Sequence, residues 1–173
     1  ASLNSTGVNE WTNIIAVLEQ RRKMNGVSYI PPCCCVGDRR IYNRPSDATS
    51  GIPKCEVWAL SPSDESYSKA RGGFDALMPK AGATPVRLSS LRPNHTSIAV
   101  LIEYDDCSIL LGADLEETGS PHAGWTAVIR SKGRPQGKAQ VFKVPHHGSV
   151  NGHHDEVWKM MLEHAPVSMI SPF

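Results

Sequence analysis

The sequence predicts an α/β domain. Three observations carry that expectation. Short β-rich runs recur at residues 55–60, 97–104, 108–111, 139–144 and 167–170; apolar side chains fall at helical spacing near both ends of the chain; and 173 residues, 40% of them hydrophobic, suffice for one core but not comfortably for two. Charge is nearly balanced, with 18 Lys and Arg against 17 Asp and Glu, so no overall field draws the chain toward nucleic acid or a membrane surface, and a nucleic-acid role would need a local patch. No apolar run approaches the roughly 20 residues that cross a bilayer, and the first residues lack the basic and apolar regions of a secretion signal. The expectation is a soluble chain without a membrane partner.

Taken in order, residues 1–10 are polar, after which Trp11, Ile14, Ile15 and Leu18 stand at the i, i+3, i+4, i+7 positions of an amphipathic helix. Arg21, Arg22 and Lys23 suit its last turn and Gly26 its stop; the three cations read as a solvated helix end rather than a phosphate patch. A short strand at 27–30 is cut off by Pro31 and Pro32. Five cysteines occur, with Cys33, Cys34 and Cys35 contiguous and Cys55 and Cys107 isolated. Neighbouring side chains in an extended segment point to opposite faces and cannot share one ion, and an odd count without a spaced framework favours reduced thiols in a cytoplasmic setting. Residues 37–53 are rich in turn formers. Residues 1–54 therefore read as a helix and an irregular lead-in to a more legible part, 55–173.

In that part, the strand at 55–60 runs into Ser61-Pro62-Ser63-Asp64, which caps a helix beginning near Glu65. Residues 72–93 read as a long surface connection. The runs 97–104 (SIAVLIEY) and 108–111 (SILL) form a hairpin through Asp105-Asp106. A loop holding Trp125 leads to the strand 139–144 (AQVFKV), stopped by Pro145. A helix over 154–164 turns Val157, Met161 and Leu162 inward, and 167–170 (VSMI) is the last strand.

Chemistry concentrates where two of these strands stop. Asp114 follows the second strand of the hairpin, and His146 and His147 follow the strand at 139–144. A side chain on the first turn beyond a strand is held by the sheet and still open to solvent. Carboxylate oxygen and imidazole nitrogen both suit Zn²⁺, and an aspartate can bridge two ions. By residue type alone, Asp114 is more often a turn former than a ligand, and the histidines read as a hydrogen-bonding loop pair as readily as a ligand pair.

The order Asn94-His95-Thr96-Ser97, then Leu110-Leu111-Gly112-Ala113-Asp114-Leu115-Glu116, then Lys143-Val144-Pro145-His146-His147-Gly148-Ser149 resembles a segment of metallo-β-lactamase-fold hydrolases. The nearest look is to the metallo-β-lactamase-like domain of bacterial DNA-uptake channel proteins. The likeness covers roughly residues 55–173 and is specific from 94 to 149; Ala113 between Gly112 and Asp114 is a departure that leaves the acid in register. The resemblance implies an αββα sandwich, of which this chain would hold the second half and the connecting helix within one domain over 1–173. It implies Asp114 as a bridging carboxylate and one of His146 and His147, by preference His147, as the last histidine ligand. His95 stands where many members carry a third-motif histidine, and reads either as a ligand or as a hydrogen-bonding loop residue. Two Zn²⁺ ions, or Mn²⁺, are the implied cofactors.

The main metal motif of that family, His-x-His-x-Asp-His, does not occur here; His153-His154-Asp155 lies at a predicted helix start, where Asp155 answers the helix dipole. The expectation is a chain that is inactive alone and needs the first half of the fold as a separate or cleaved partner. Completed, the site would hydrolyse phosphodiesters through metal-bound hydroxide, with nucleic acid as a substrate class; Lys132, Arg134, Lys138 and Lys143 read as a cationic stretch or as ordinary surface charge. A metal-free binding module, and a hydrolase of carboxylic esters, lactones or thioesters, are the competing expectations.

Overall fold

A computed structural model describes residues 12–20, 35–77 and 93–171. Two compact units are present, Ala1–Cys34 and Cys35–Phe173. In the first, residues 12–20 form a helix, α1, as the spacing of Ile14, Ile15 and Leu18 predicts; all three are exposed. Residues 21–34, with the three basic residues, the expected short strand, Cys33 and Cys34, lie outside the described residues.

The second unit is built on one six-stranded mixed sheet. Its strands are β1 (Arg39–Arg44), β2 (Cys55–Ala59), β3 (Val100–Tyr104), β4 (Cys107–Leu111), β5 (Ala139–Lys143) and β6 (Leu162–Met169), lying side by side in chain order. β1 to β4 pair antiparallel, whereas β4, β5 and β6 run parallel. The helices are α2 (Asp64–Leu77), α3 (Gly124–Arg130) and α4 (Asp155–Met160), with tight turns at Pro93–Thr96, His146–Gly148 and Val150–Gly152. Among the described residues no helix is long and apolar enough to cross a membrane.

The expected strands and the hairpin are present, with Asp105 at φ 51° in the hairpin turn. Helix α2 starts as its sequence predicts: Ser63 Oγ accepts from the backbone N–H of Ser66 at 3.2 Å. It runs to Leu77, into the stretch expected to be a connection; residues 78–92 lie outside the described residues.

Three expectations need correction. The stretch 37–53 is not wholly irregular, because RRIYNR forms β1 against β2; a charged, exposed edge strand lacks the apolar alternation that marks a half-buried one. Trp125 lies in α3, not in a loop, and is fully buried. The final helix stops at Met160, and β6 starts at Leu162, earlier than the expected strand at 167–170. Pairing with β5 accounts for that shift, since Leu162 is matched with Ala139 and the Ala139 N–H donates to the Met161 carbonyl at 2.8 Å. Val157, Met161 and Leu162 are nevertheless all buried, as expected of the inner face.

One face of the sheet carries the core. Leu101 pairs with Leu110, Leu110 with Phe142, and this row packs with Leu115, Trp125, Val128, Val157, Met161 and Leu162. Each such side chain contributes about 1.5–3 kcal/mol through burial. The opposite face is equally apolar: Val57 pairs with Ile102, Ile102 with Ile109, Ile109 with Val141, and Val141 with Val167. Alternation along each strand sets this row on the side away from Leu101, Leu110 and Phe142, and its outer member Val167 is 63% exposed.

Candidate functional site

Because β4, β5 and β6 are parallel neighbours, the segments leaving them emerge on one edge of the sheet. They are bonded to each other there. The Gly112 N–H donates to the Lys143 carbonyl at 3.0 Å, the His146 N–H to the Ala113 carbonyl at 2.9 Å, and the Val144 N–H to the Met169 carbonyl at 2.9 Å. Gly112 is needed for this approach, since a Cβ at that position would lie 2.8 Å from Pro145 Cβ and 3.0 Å from the Lys143 carbonyl oxygen. The turns are also strained. Ala113, His146 and His147 hold φ of 47°, 46° and 55°, a region that costs non-glycine residues of order 1–3 kcal/mol each and is concentrated at functional sites.

The side chains at this edge separate into distinct environments. His147 Nδ1 lies 2.8 Å from the Ser171 carbonyl; a carbonyl only accepts, so Nδ1 carries the proton. Asp114 is exposed and makes no ion pair among the described residues. The carboxylate that meets the imidazoles is Glu116, two residues further on. Its Oε1 accepts from Asn94 Nδ2 at 3.0 Å and from Asn151 Nδ2 at 2.9 Å. His146 Nδ1 stands 3.4 Å from the same oxygen, and His95 Nε2 is 3.9 Å from Oε2. The His146 nitrogen is buried and lacks the alignment of a hydrogen bond to any partner.

Four turns thus meet at one carboxylate. Of the sequence-predicted residues, His95 and His146 come together through Glu116, His147 is held on the Ser171 side, and Asp114 stands outside this cluster. Sequence reasoning missed Glu116, Asn94 and Asn151. The available signal was the alternation around Leu115, whose fully buried side chain anchors the turn between Asp114 and Glu116.

A second cluster adjoins the first. Glu117 Oε2 accepts from the Thr126 N–H at 2.9 Å, and its Oε1 from the Thr126 hydroxyl at 2.8 Å. His154 Nε2 lies 3.3 Å from that hydroxyl. Its Nδ1 accepts from the Glu156 N–H at 3.1 Å, capping α4, so the neutral ring is protonated at Nε2. A ring whose only lone pair is used by the backbone cannot act as base toward Thr126; the cluster clasps α3 to the start of α4. His153 Nε2 bonds Asp155 at 2.8 Å, and that hydrogen bond, with the histidine's charge, holds the Asp155 carboxyl below its ordinary value. His153 is exposed, while His154 is part-buried.

The cationic stretch does not form one surface. Arg134 is buried, and burial pushes its guanidinium pKa down, against the opposing charge of Asp38. Lys143 Nζ donates to the carbonyl of Val144 at 3.3 Å, while Lys132 and Lys138 are exposed. Beside the His-His turn lies a cleft of about 250 Å³ walled by Phe142, Val144, Pro145, Trp158 and Ile170.

In donor type, imidazole nitrogen and carboxylate oxygen suit Zn²⁺. As arranged, no group of three His, Cys, Asp or Glu side chains among the described residues could hold a metal ion. Compared with protein-family models, curated proteins and solved structures, the chain matches none.

Proposed function

We propose that this chain contributes one side of a metal-dependent hydrolase site that acts on phosphodiesters. The observation that carries the reading is the bonding of the Asp114 turn to the His146-His147 turn at the carboxyl ends of adjacent parallel strands. Open α/β sheets place their ligands outside the carboxyl ends of the strands. Acid and imidazole side chains held there by a strained backbone are suited to chemistry rather than to packing.

The motifs around these turns resemble those of metallo-β-lactamase-fold hydrolases, and the reading adopts that fold's αββα sandwich. The apolar row Val57, Ile102, Ile109, Val141 and Val167 supports it, because a sheet apolar on both faces is suited to cover on both. A second sheet over that face would bring the remaining metal ligands to the edge. Metal ions there would supply hydroxide near neutral pH and offset charge developing on the phosphoryl oxygens. This chain's part is positional: Asp114 and the two imidazoles are presented from a fixed edge.

The test is turnover of a bis-aryl phosphodiester and of an aryl ester by the whole polypeptide, with Zn²⁺ or Mn²⁺ added. Phosphodiester turnover that is metal-dependent and falls at least about 100-fold in Asp114→Ala is expected. Turnover of the ester alone would favour the carboxylic-ester reading, and no turnover of either with no metal bound would favour a binding module. Unchanged turnover in Asp114→Ala would remove that residue from the site.

A further inference from the structure

We infer that Glu116 is a positioning residue that fixes the tautomer of His146, so that His146 and His147 both carry their proton on Nδ1 and their lone pair on Nε2. The inference rests on reading the His-His turn as functional, but its mechanism is local. His146 Nδ1 is buried and has no hydrogen-bond partner, and the acceptor facing it is Glu116 Oε1 at 3.4 Å. The lone pairs of that oxygen are already taken by the amides of Asn94 and Asn151 at 3.0 and 2.9 Å. This explains why the third donor stands slightly off and unaligned.

The charge decides the rest. A lone pair on Nδ1 would face a carboxylate across 3.4 Å and be repelled, whereas an N–H there is attracted. Burial strengthens that preference, since water does not reach the nitrogen to compensate. His147 reaches the same tautomer by an unrelated route, the Ser171 carbonyl at 2.8 Å. The two rings, 6.4 Å apart between centroids and inclined at 61°, are then matched in proton placement although their acceptors lie on different segments. Which nitrogen of an imidazole can ligate or accept is set by the bond its other nitrogen makes; Glu116 performs for His146 what a backbone carbonyl performs for His147. The amides of Asn94 and Asn151 hold the carboxylate in place, drawing the turns at Pro93–Thr96 and Val150–Gly152 into the same arrangement.

The test is the ¹⁵N ring spectrum of the histidines in the metal-free protein at about pH 8.5, roughly two units above the ordinary imidazole value. Both His146 and His147 are expected as Nδ1–H tautomers. In Glu116→Gln, which keeps an oxygen for the two amides but removes the charge, His146 is expected to move at least about threefold toward the Nε2–H form, while His147 stays unchanged. Asn151→Ala, which loosens the turn and keeps the charge, is expected to leave both tautomers as they are. An Nε2–H signal for His146 in the unaltered protein overturns the inference, and that spectrum decides even where the variants fail to fold. So does a Glu116→Gln spectrum identical to the parent, or a shift in Asn151→Ala as large as in Glu116→Gln. Because the readout needs neither metal nor turnover, it is independent of whether the chain hydrolyses anything.

Discussion

At Gly112 the backbone of one motif turn touches the proline of the other. Gly112→Ala would bring a Cβ to 2.8 Å from Pro145 Cβ, so the turns must separate. We expect a loss of about 1–3 kcal/mol, read from the urea midpoint, together with loss of the Nδ1–H signature at His146; unchanged stability would show that the turns are not in contact. Asp155 gives a pH prediction. Its carboxyl is held below the ordinary value of 3.8 by the His153 hydrogen bond and charge, so its contribution is present above that value and lost as pH falls through the lowered one. Asp155→Asn should therefore flatten the fall in melting temperature on the acid side, and an unaltered acid limb would contradict the assignment. At this scale the placement of Asp114, His146 and His147 on turns just beyond strands was legible, because a strand followed by a turn is a local pattern. Glu116 was not legible, because its role exists only where four turns meet, with partners 22 and 35 residues away on either side of it.

Elements were legible where their period was strong. β3 and β4, with their Asp-Asp turn, and β5, stopped by Pro145, follow directly from alternation and turn chemistry. α3 was not, because a seven-residue helix opening on Gly124 at φ 65° and containing Thr126, Val128 and Ile129 has neither the length nor the residue types of a confident helix. It forms because Trp125 is fully buried and donates from Nε1 to the Leu115 carbonyl at 3.1 Å. That bond ties the helix to the turn that carries Asp114 and Glu116. Trp125→Ala should cost about 3–5 kcal/mol by chemical denaturation; a loss under about 1 kcal/mol would mean that tertiary packing does not hold the helix. β6 shows the reverse case, a helical pattern cut short by pairing with β5.

For the molecule as a whole, the α/β class and the six-stranded sheet follow from elements that were mostly legible, while the layering did not, because alternation shows that a face is apolar and not what covers it. The row through Ile102, Ile109 and Val141 is the physical ground for proposing a second sheet. Ile109→Glu in the whole polypeptide should cost more than about 2 kcal/mol if that face is covered in the working protein; a change within about 0.5 kcal/mol would mean that it faces water. The central claim is that the turn bearing Asp114 and the turn bearing the paired histidines serve one metal-dependent site. Calorimetric titration of Zn²⁺ into the whole polypeptide, its Asp114→Ala form and its His147→Ala form tests it most directly. Saturable binding weakened at least about tenfold by each substitution is the predicted result; equal binding in all three, or none in the parent, would contradict the claim.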